Sequence, residues 1–391
     1  MGNQLITEKV GCASLEESNI FLRALWSTLR ANFGSLGWNY TAHKIGKTQT
    51  IYLGWITIGE SRRSIGVSVK YGRVGIIKEI NFELPEGIQK EFGEIEEALR
   101  DCVSKALSCR SSIETRYFKT RISISPPVIL SPYLGQNWSC TPIRSGIMEV
   151  SISVKSFDDP DGHYIAAVQL RKLLNTLSFM TNLSFDSVTN RDDSDFGKLA
   201  TNQYHYEEDW IDDMPFFDGV VRLTKDQVEF CDDVVDGTTS DARITRAALL
   251  FHKSLKIYQR SGESDVAMTL SLSALEAVSM PLIKSETCDH CSQPVYKISQ
   301  RVVDLSQHYM GDAVAKIIKH AYERRSKFLH VGHVVASQPR THYLIPQLDP
   351  SGVEGCAMPE GSGNINNILE FTSFALRKIL TDNKAKPIEL E

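Results

Sequence analysis

Apolar positions over residues 15–33 recur at helical spacing, with Ile20, Leu22, Leu25, Trp26 and Leu29 as core candidates. The period then changes. Residues 48–58 and 64–82 are rich in β-branched and aromatic side chains, with Gly-Glu and Gly-Arg turn signals between and within them, and read as strands. Residues 86–108 return to helical spacing. Residues 111–129 and 146–156 read as strands, the first broken by Pro126-Pro127. Asp158 to Gly162 makes a turn and starts a helix over 164–180, where Ala166, Leu170, Leu173, Leu174 and Leu177 share a stripe.

From about Ser240 the pattern is helix after helix: 241–260, 264–283, 295–309, 311–329 and 365–380. The first carries Ile244, Ala247, Ala248, Phe251, Leu255 and Tyr258 on one face. The joins are short except for a Gly/Pro-rich stretch over 335–364, which reads as an exposed loop. Four or five helices so connected imply an antiparallel bundle. The expected class is α+β, with a mixed α/β region over 1–184, an acidic connector over 185–240 and an all-α bundle over 241–391.

Composition narrows the partners. With 42% hydrophobic and 23% charged residues the chain reads as an ordinary folded protein. Its net charge of −5 gives no global attraction to nucleic acid, so an RNA-binding role requires a local basic patch. Between Phe185 and Arg243 sixteen acidic residues face five basic ones, which reads as a solvated connector. The opening MGNQLITEKVGC lacks the apolar core of a secretory leader, so a cytoplasmic protein is expected. Residues 266–283 approach the length of a membrane span. Glu276, four serine or threonine residues and Pro281 mark them instead as a buried helix, and no membrane partner is expected. The eight cysteines are scattered and read as reduced thiols. Only Cys288 and Cys291, in TCDHC, are closely spaced. A structural zinc takes four ligands, so Cys231, Cys356, His333 or a second subunit would have to complete a site begun by Cys288, His290 and Cys291. An exposed reduced pair and no cofactor are the simpler expectation. The first 240 residues hold no P-loop, no GxGxxG after a strand, no HExxH and no GxSxG.

The chemistry concentrates in AYERRSKFLHVGH, Ala321 to His333. Histidine moves protons near neutral pH, and arginine stays cationic and can hold a phosphate. Arg325 stands five residues before His330. Two looser pairs exist, Arg246 with His252 and Arg301 with His308. His252 falls mid-helix, His308 falls where the third bundle helix frays, and its Arg301 reads as a surface residue. Along 311–329, Val314, Ile317, Ile318, Ala321, Arg325 and Phe328 form one stripe, which puts Arg325 on the apolar face. A buried guanidinium needs a partner. Glu276, the one ionisable residue over 266–283, needs one too, and an Arg325–Glu276 pair satisfies both. Ser326 lies one turn before His330 on the same face. Arg325 and His330 are about 140° apart on an ideal helix. A shared site therefore needs the arginine to swing, the helix to end near Leu329, or a second subunit, which favours a dimer. The bland alternative for His330 is a helix-end residue facing the dipole, just before a Gly332 cap. His333 reads as a loop residue.

The apolar helix LSLSALEAVSM around Glu276, the segment KISQRVVDL (Lys297 to Leu305) and ERRSKFLHVG (Glu323 to Gly332) together resemble the HEPN superfamily, in its Apea-like branch. The resemblance covers roughly 241–380. It implies a helical bundle that dimerises so that two Arg/His sets face one cleft, and a metal-independent endoribonuclease. In such an enzyme the ribose 2′-OH attacks the adjacent phosphate and leaves a 2′,3′-cyclic phosphate. It implies that His330 moves protons, Arg325 stabilises the phosphorane, Ser326 supports the geometry, Glu276 backs the arginine, and Arg324 and Lys327 contact RNA. It further implies antiviral (anti-phage) defence or a toxin-type system, with a trigger ligand or phage component acting on the N-terminal region. The alternative is a catalytically inactive HEPN-fold dimerisation or binding module.

Overall fold

The computed structural model describes residues 4–34, 36–44, 49–58, 63–72, 75–84, 92–108, 113–188, 220–238, 242–279, 286–287, 294–295, 298–331 and 362–385. It is an α+β protein of two compact units, 1–116 with 154–165, and 117–153 with 166–391.

The first unit is a five-stranded antiparallel sheet covered by two helices. Its strands are β1 (Gln4–Lys9), β2 (Gly37–Lys44), β3 (Thr50–Ile58), β4 (Arg63–Tyr71) and β5 (Ile77–Leu84), in the order β1-β5-β4-β3-β2. Helix α1 (Leu15–Phe33) starts where the Ser14 side chain accepts the Glu17 N–H at 3.0 Å. It stops at Gly34, whose φ of 76° suits a residue without Cβ. Leu25 and Leu29 of α1 are buried with Phe21 and Ala24, while Leu22 and Trp26 pack partly buried at the rim of the same core. Helix α2 (Phe92–Ser108) adds Leu99, Val103 and Ala106, and the sheet adds Ile65, Val67, Ile80 and Phe82.

The second unit joins another antiparallel sheet to the helices. Strands β6 (Glu114–Ser125), β8 (Tyr133–Leu134), β9 (Trp138–Arg144), β10 (Ile147–Ser156) and β11 (Ser184–Ser187) take the order β11-β6-β10-β9-β8. The short β7 (Ile129–Leu130) pairs in parallel with β12 (Val220–Val221). Helix α3 (Asp159–Thr181) buries Ala166, Leu173, Leu174 and Leu177 as expected, with Leu170 half-buried. Helices α4 (Lys225–Asp236), α5 (Ala242–Ser261), α6 (Ser264–Ser279), α7 (Ile298–Val331) and α8 (Ser362–Ala385) come next, and β13 (Glu286–Thr287) pairs with β14 (Pro294–Val295). Helix α6 packs on α5, α7 and α8. Five of the six apolar residues expected on one face of α5 are buried, and Tyr258 is partly so.

The unit boundaries differ from those at 184 and 240. Strand β11 pairs with β6, and its Phe185 bonds to His252 of α5, so sheet and bundle fold as one body. Residues 189–219 of the acidic stretch lie outside the described residues. Residues 220–236 of the same stretch are not a solvated connector. Helix α4 opens there with a capping box between Thr224 and Gln227 and buries Val228, Phe230, Cys231, Val234 and Val235. The Gly/Pro-rich stretch over 335–364 lies almost wholly outside the described residues.

Candidate functional site

Glu276 on α6 and Arg325 on α7 form the expected ion pair. Arg325 Nη1 donates to Glu276 Oε1, and Nη2 donates to Oε2 at 3.2 Å and to Ser273 Oγ at 3.2 Å. Tyr322, one turn earlier, completes the cluster. Its hydroxyl donates to Glu276 Oε1 and accepts from Arg325 Nη1 at 2.9 Å, and the guanidinium lies 5.1 Å from its ring centroid. The Arg325 side chain is 14% exposed and that of Glu276 21%. Two charges held in this much protein require each other. Sequence reasoning missed Tyr322, whose only signal was its one-turn spacing from Arg325.

Helix α7 folds back on itself. Gly311 has φ 82° and ψ 178°, a region essentially reserved for glycine, between two helical halves. Ser299, Gln300 and Val303 of the first half line a cleft of ≈ 310 Å³ together with Lys319, Tyr322 and Ser326 of the second. On a straight helix Ser299 and Ser326 would stand about 40 Å apart. The two helices expected over 295–309 and 311–329 are thus the two arms of a hairpin.

His330 lies about 140° round the second arm from Arg325, on the side of Lys319 and Ser326. It is exposed, as are Ser326 and Lys327, whereas Arg324 is half-buried. Helix α7 runs to Val331, past Leu329, so the helix does not end early enough to bring His330 round to Arg325. No hydrogen bond among the described residues joins His330 to Arg325 or to Ser326. Around the helix, Lys316, Lys319, His320, Arg324, Lys327 and His330 all fall within about 80° of one direction. All but Arg324 are exposed, and Glu323 is the one acid among them. A chain of net charge −5 therefore carries a basic stripe on this face. Of the expected apolar stripe on the opposite face, Ile318 and Ala321 are buried, Val314 and Phe328 are half-buried, and Ile317 is exposed.

The two other Arg/His pairs are each split between a buried and an exposed member. His252 is buried, with Nδ1 2.7 Å from Asn175 Oδ1 and Nε2 3.1 Å from both the N–H and the carbonyl oxygen of Phe185; the neutral ring that burial favours donates from Nδ1 and accepts the Phe185 N–H at Nε2. Burial first, then the Lys256 cation, pushes its pKa down to about 4. Arg301 is not a surface residue. It is 4% exposed on the first arm of α7. His308 is exposed in the last turn of the first arm, three residues before Gly311, and meets the Tyr309 ring edge-on at 4.7 Å.

Cys288, His290, Cys291, His333 and Cys356 lie outside the described residues. Cys231 is fully buried with its Sγ 3.8 Å from Met180 Sδ, a core position unsuited to completing an exposed zinc site. Among the described residues no group of three or more His, Cys, Asp or Glu is placed to hold a metal ion, and no helix is long and apolar enough to cross a membrane. Compared with protein-family models, curated proteins and solved structures, the chain matches none.

Proposed function

We propose that this chain is a HEPN-type, metal-independent endoribonuclease that works as a homodimer, with the exposed face of α7 as its RNA-binding surface. The observation that carries this reading is the basic stripe from Lys316 to Lys327 with His330 at its end, on a chain that is otherwise acidic. Phosphate contacts from lysine and arginine dominate nucleic-acid affinity, and a local stripe supplies them where net charge does not. His330 takes the proton of a ribose 2′-OH as the 2′-oxygen bonds to phosphorus. The P–O5′ bond breaks, and the imidazolium so formed returns the proton to the leaving 5′-oxygen. The products are a 2′,3′-cyclic phosphate and a 5′-OH. Lys327, one turn from His330, and Arg324 hold the backbone, and Ser326 borders the cleft beside them. Arg325 reaches the phosphorane by exchanging part of its hold on Glu276 for phosphate oxygen, a step that substrate or a second copy must drive. The biological setting that fits is antiviral defence or a toxin-type system in the cytoplasm, with the first unit sensing a trigger.

The engagement of Arg325 with Glu276 favours a second reading, an inactive HEPN-fold dimerisation or binding module. Analysis of RNA ends separates the two. End-labelled RNA incubated with the full chain should yield cyclic-phosphate ends. RNA that is bound and returned intact, by a folded dimer, supports the module.

A further inference from the structure

The first unit holds a cavity of ≈ 600 Å³, walled by Arg23, Trp26 and Arg30 of α1, by Leu36, and by Pro160, Asp161 and Tyr164 at the start of α3. That volume lies in the range of small-molecule sites. Its two guanidinium groups are fixed in place. Arg23 Nε and Nη2 each donate to one oxygen of Asp161 at 2.9 Å, and Nη2 also reaches the Lys155 carbonyl at 2.9 Å. Arg30 Nε and Nη2 grip Asp158 in the same way at 2.8 Å. Both carboxylates are fully used. Asp161 Oδ2 also accepts the Phe157 N–H at 3.0 Å, and Asp158 Oδ1 the Asp161 N–H at 2.9 Å.

Nη1 of each arginine is what remains. Among the described residues no hydrogen bond uses either atom. The cavity thus offers fixed, charged donors and no unspent carboxylate, next to an indole and the apolar surfaces of Leu36 and Pro160. Such a wall selects a ligand rich in acceptors and flat on one side. Small acids meet the donors but leave the indole uncovered, a neutral sugar covers the indole but brings no charge to the guanidinium groups, and a neutral aromatic leaves the donors unmet. We propose that this cavity binds a mononucleotide, with the base stacked on Trp26 and the phosphate oxygens on Nη1 of Arg23 and Arg30. The exposed Tyr164 ring, 71% accessible, lies at the mouth and closes over the base. Guanidinium groups already held by their carboxylates present the remaining N–H donors to phosphate at little ordering cost, and a base stacks on an aromatic ring whatever its identity. The proposal stands whether or not α7 cleaves RNA.

The test is calorimetric titration of the full chain with AMP, GMP, CMP and UMP in turn, with adenosine and inorganic phosphate as half-ligand probes. At least one nucleotide should bind more tightly than both halves and raise the melting temperature. Arg30→Lys keeps the charge but loses the Nη1 donor that the grip on Asp158 holds in place, and should weaken binding about tenfold or more. Trp26→Leu should weaken it about tenfold. Tyr164→Ala removes an exposed side chain without threatening the fold, and should weaken it several-fold. Failure of all four nucleotides to bind at about 1 mM overturns the proposal. So does nucleotide binding that is unchanged in folded Arg30→Lys and in Tyr164→Ala.

Discussion

Replacing Glu276 by alanine strips a largely buried guanidinium of its counter-charge. Removing one partner of a buried ion pair ordinarily costs about 3–5 kcal/mol, because the other is left uncompensated. Here Arg325 is 14% exposed and keeps two neutral acceptors, Tyr322 Oη at 2.9 Å and Ser273 Oγ at 3.2 Å. Those contacts offset part of the loss and place Glu276→Ala at the low end, about 3 kcal/mol. Arg325→Met removes the charge and keeps the volume of the stem. The stranded carboxylate is 21% exposed and retains the Tyr322 hydroxyl, so the cost falls to about 2 kcal/mol. In Glu276→Ala/Arg325→Met neither charge is stranded, and the double variant should lose well under the sum of the two single losses. Denaturant unfolding of the four proteins, followed by circular dichroism and by tryptophan fluorescence, gives the comparison. Single variants within about 0.5 kcal/mol of the starting protein, or a double variant whose loss is the sum of the two, would refute the reasoning.

Acid should destabilise the second unit through His252. The folded chain holds this ring neutral down to about pH 4, while an unfolded histidine takes up a proton below 6.5. Its stability contribution is therefore full above pH 6.5 and is lost as the pH falls through that window, by about 3 kcal/mol in all. Unfolding midpoints from pH 7 to pH 4 should show this slope, and His252→Gln should flatten it. Lys316→Ala and Lys327→Ala should each reduce the salt slope of RNA binding by about one, equally across RNA sequences, and an unchanged slope would remove those lysines from the interface. Gly311→Ala meets open space but forces a side chain into glycine's region, and should cost about 1–3 kcal/mol in unfolding. A neutral substitution there would mean that the two arms of α7 need no such turn.

Much of this was legible because period and charge report on faces. The stripe over 311–329 put Arg325 on the apolar side, and the lone acid in an apolar helix named its partner; the contact follows from two desolvation costs. Arg301 was misread because a single polar residue in a helix defaults to the surface, and only packing from other helices shows it is enclosed. The acidic stretch was misread for a related reason. Counting charge over 185–243 averaged away the amphipathic spacing of Val228, Cys231, Val234 and Val235 in α4. The reversal at Gly311 was read only as a break between helices, since its direction depends on a positive φ that sequence does not display. Strand β11 carries four residues and no alternation, and its place beside β6 rests on non-local pairing.

The most direct test of the central claim is cleavage of end-labelled RNA, in EDTA, by the full chain, by His330→Ala and by His308→Ala. His308 is the control because it is exposed on the first arm of the same helix hairpin. Cyclic-phosphate products are expected from the starting protein and from His308→Ala, and none from a folded His330→Ala. Cleavage that survives in His330→Ala would contradict the claim.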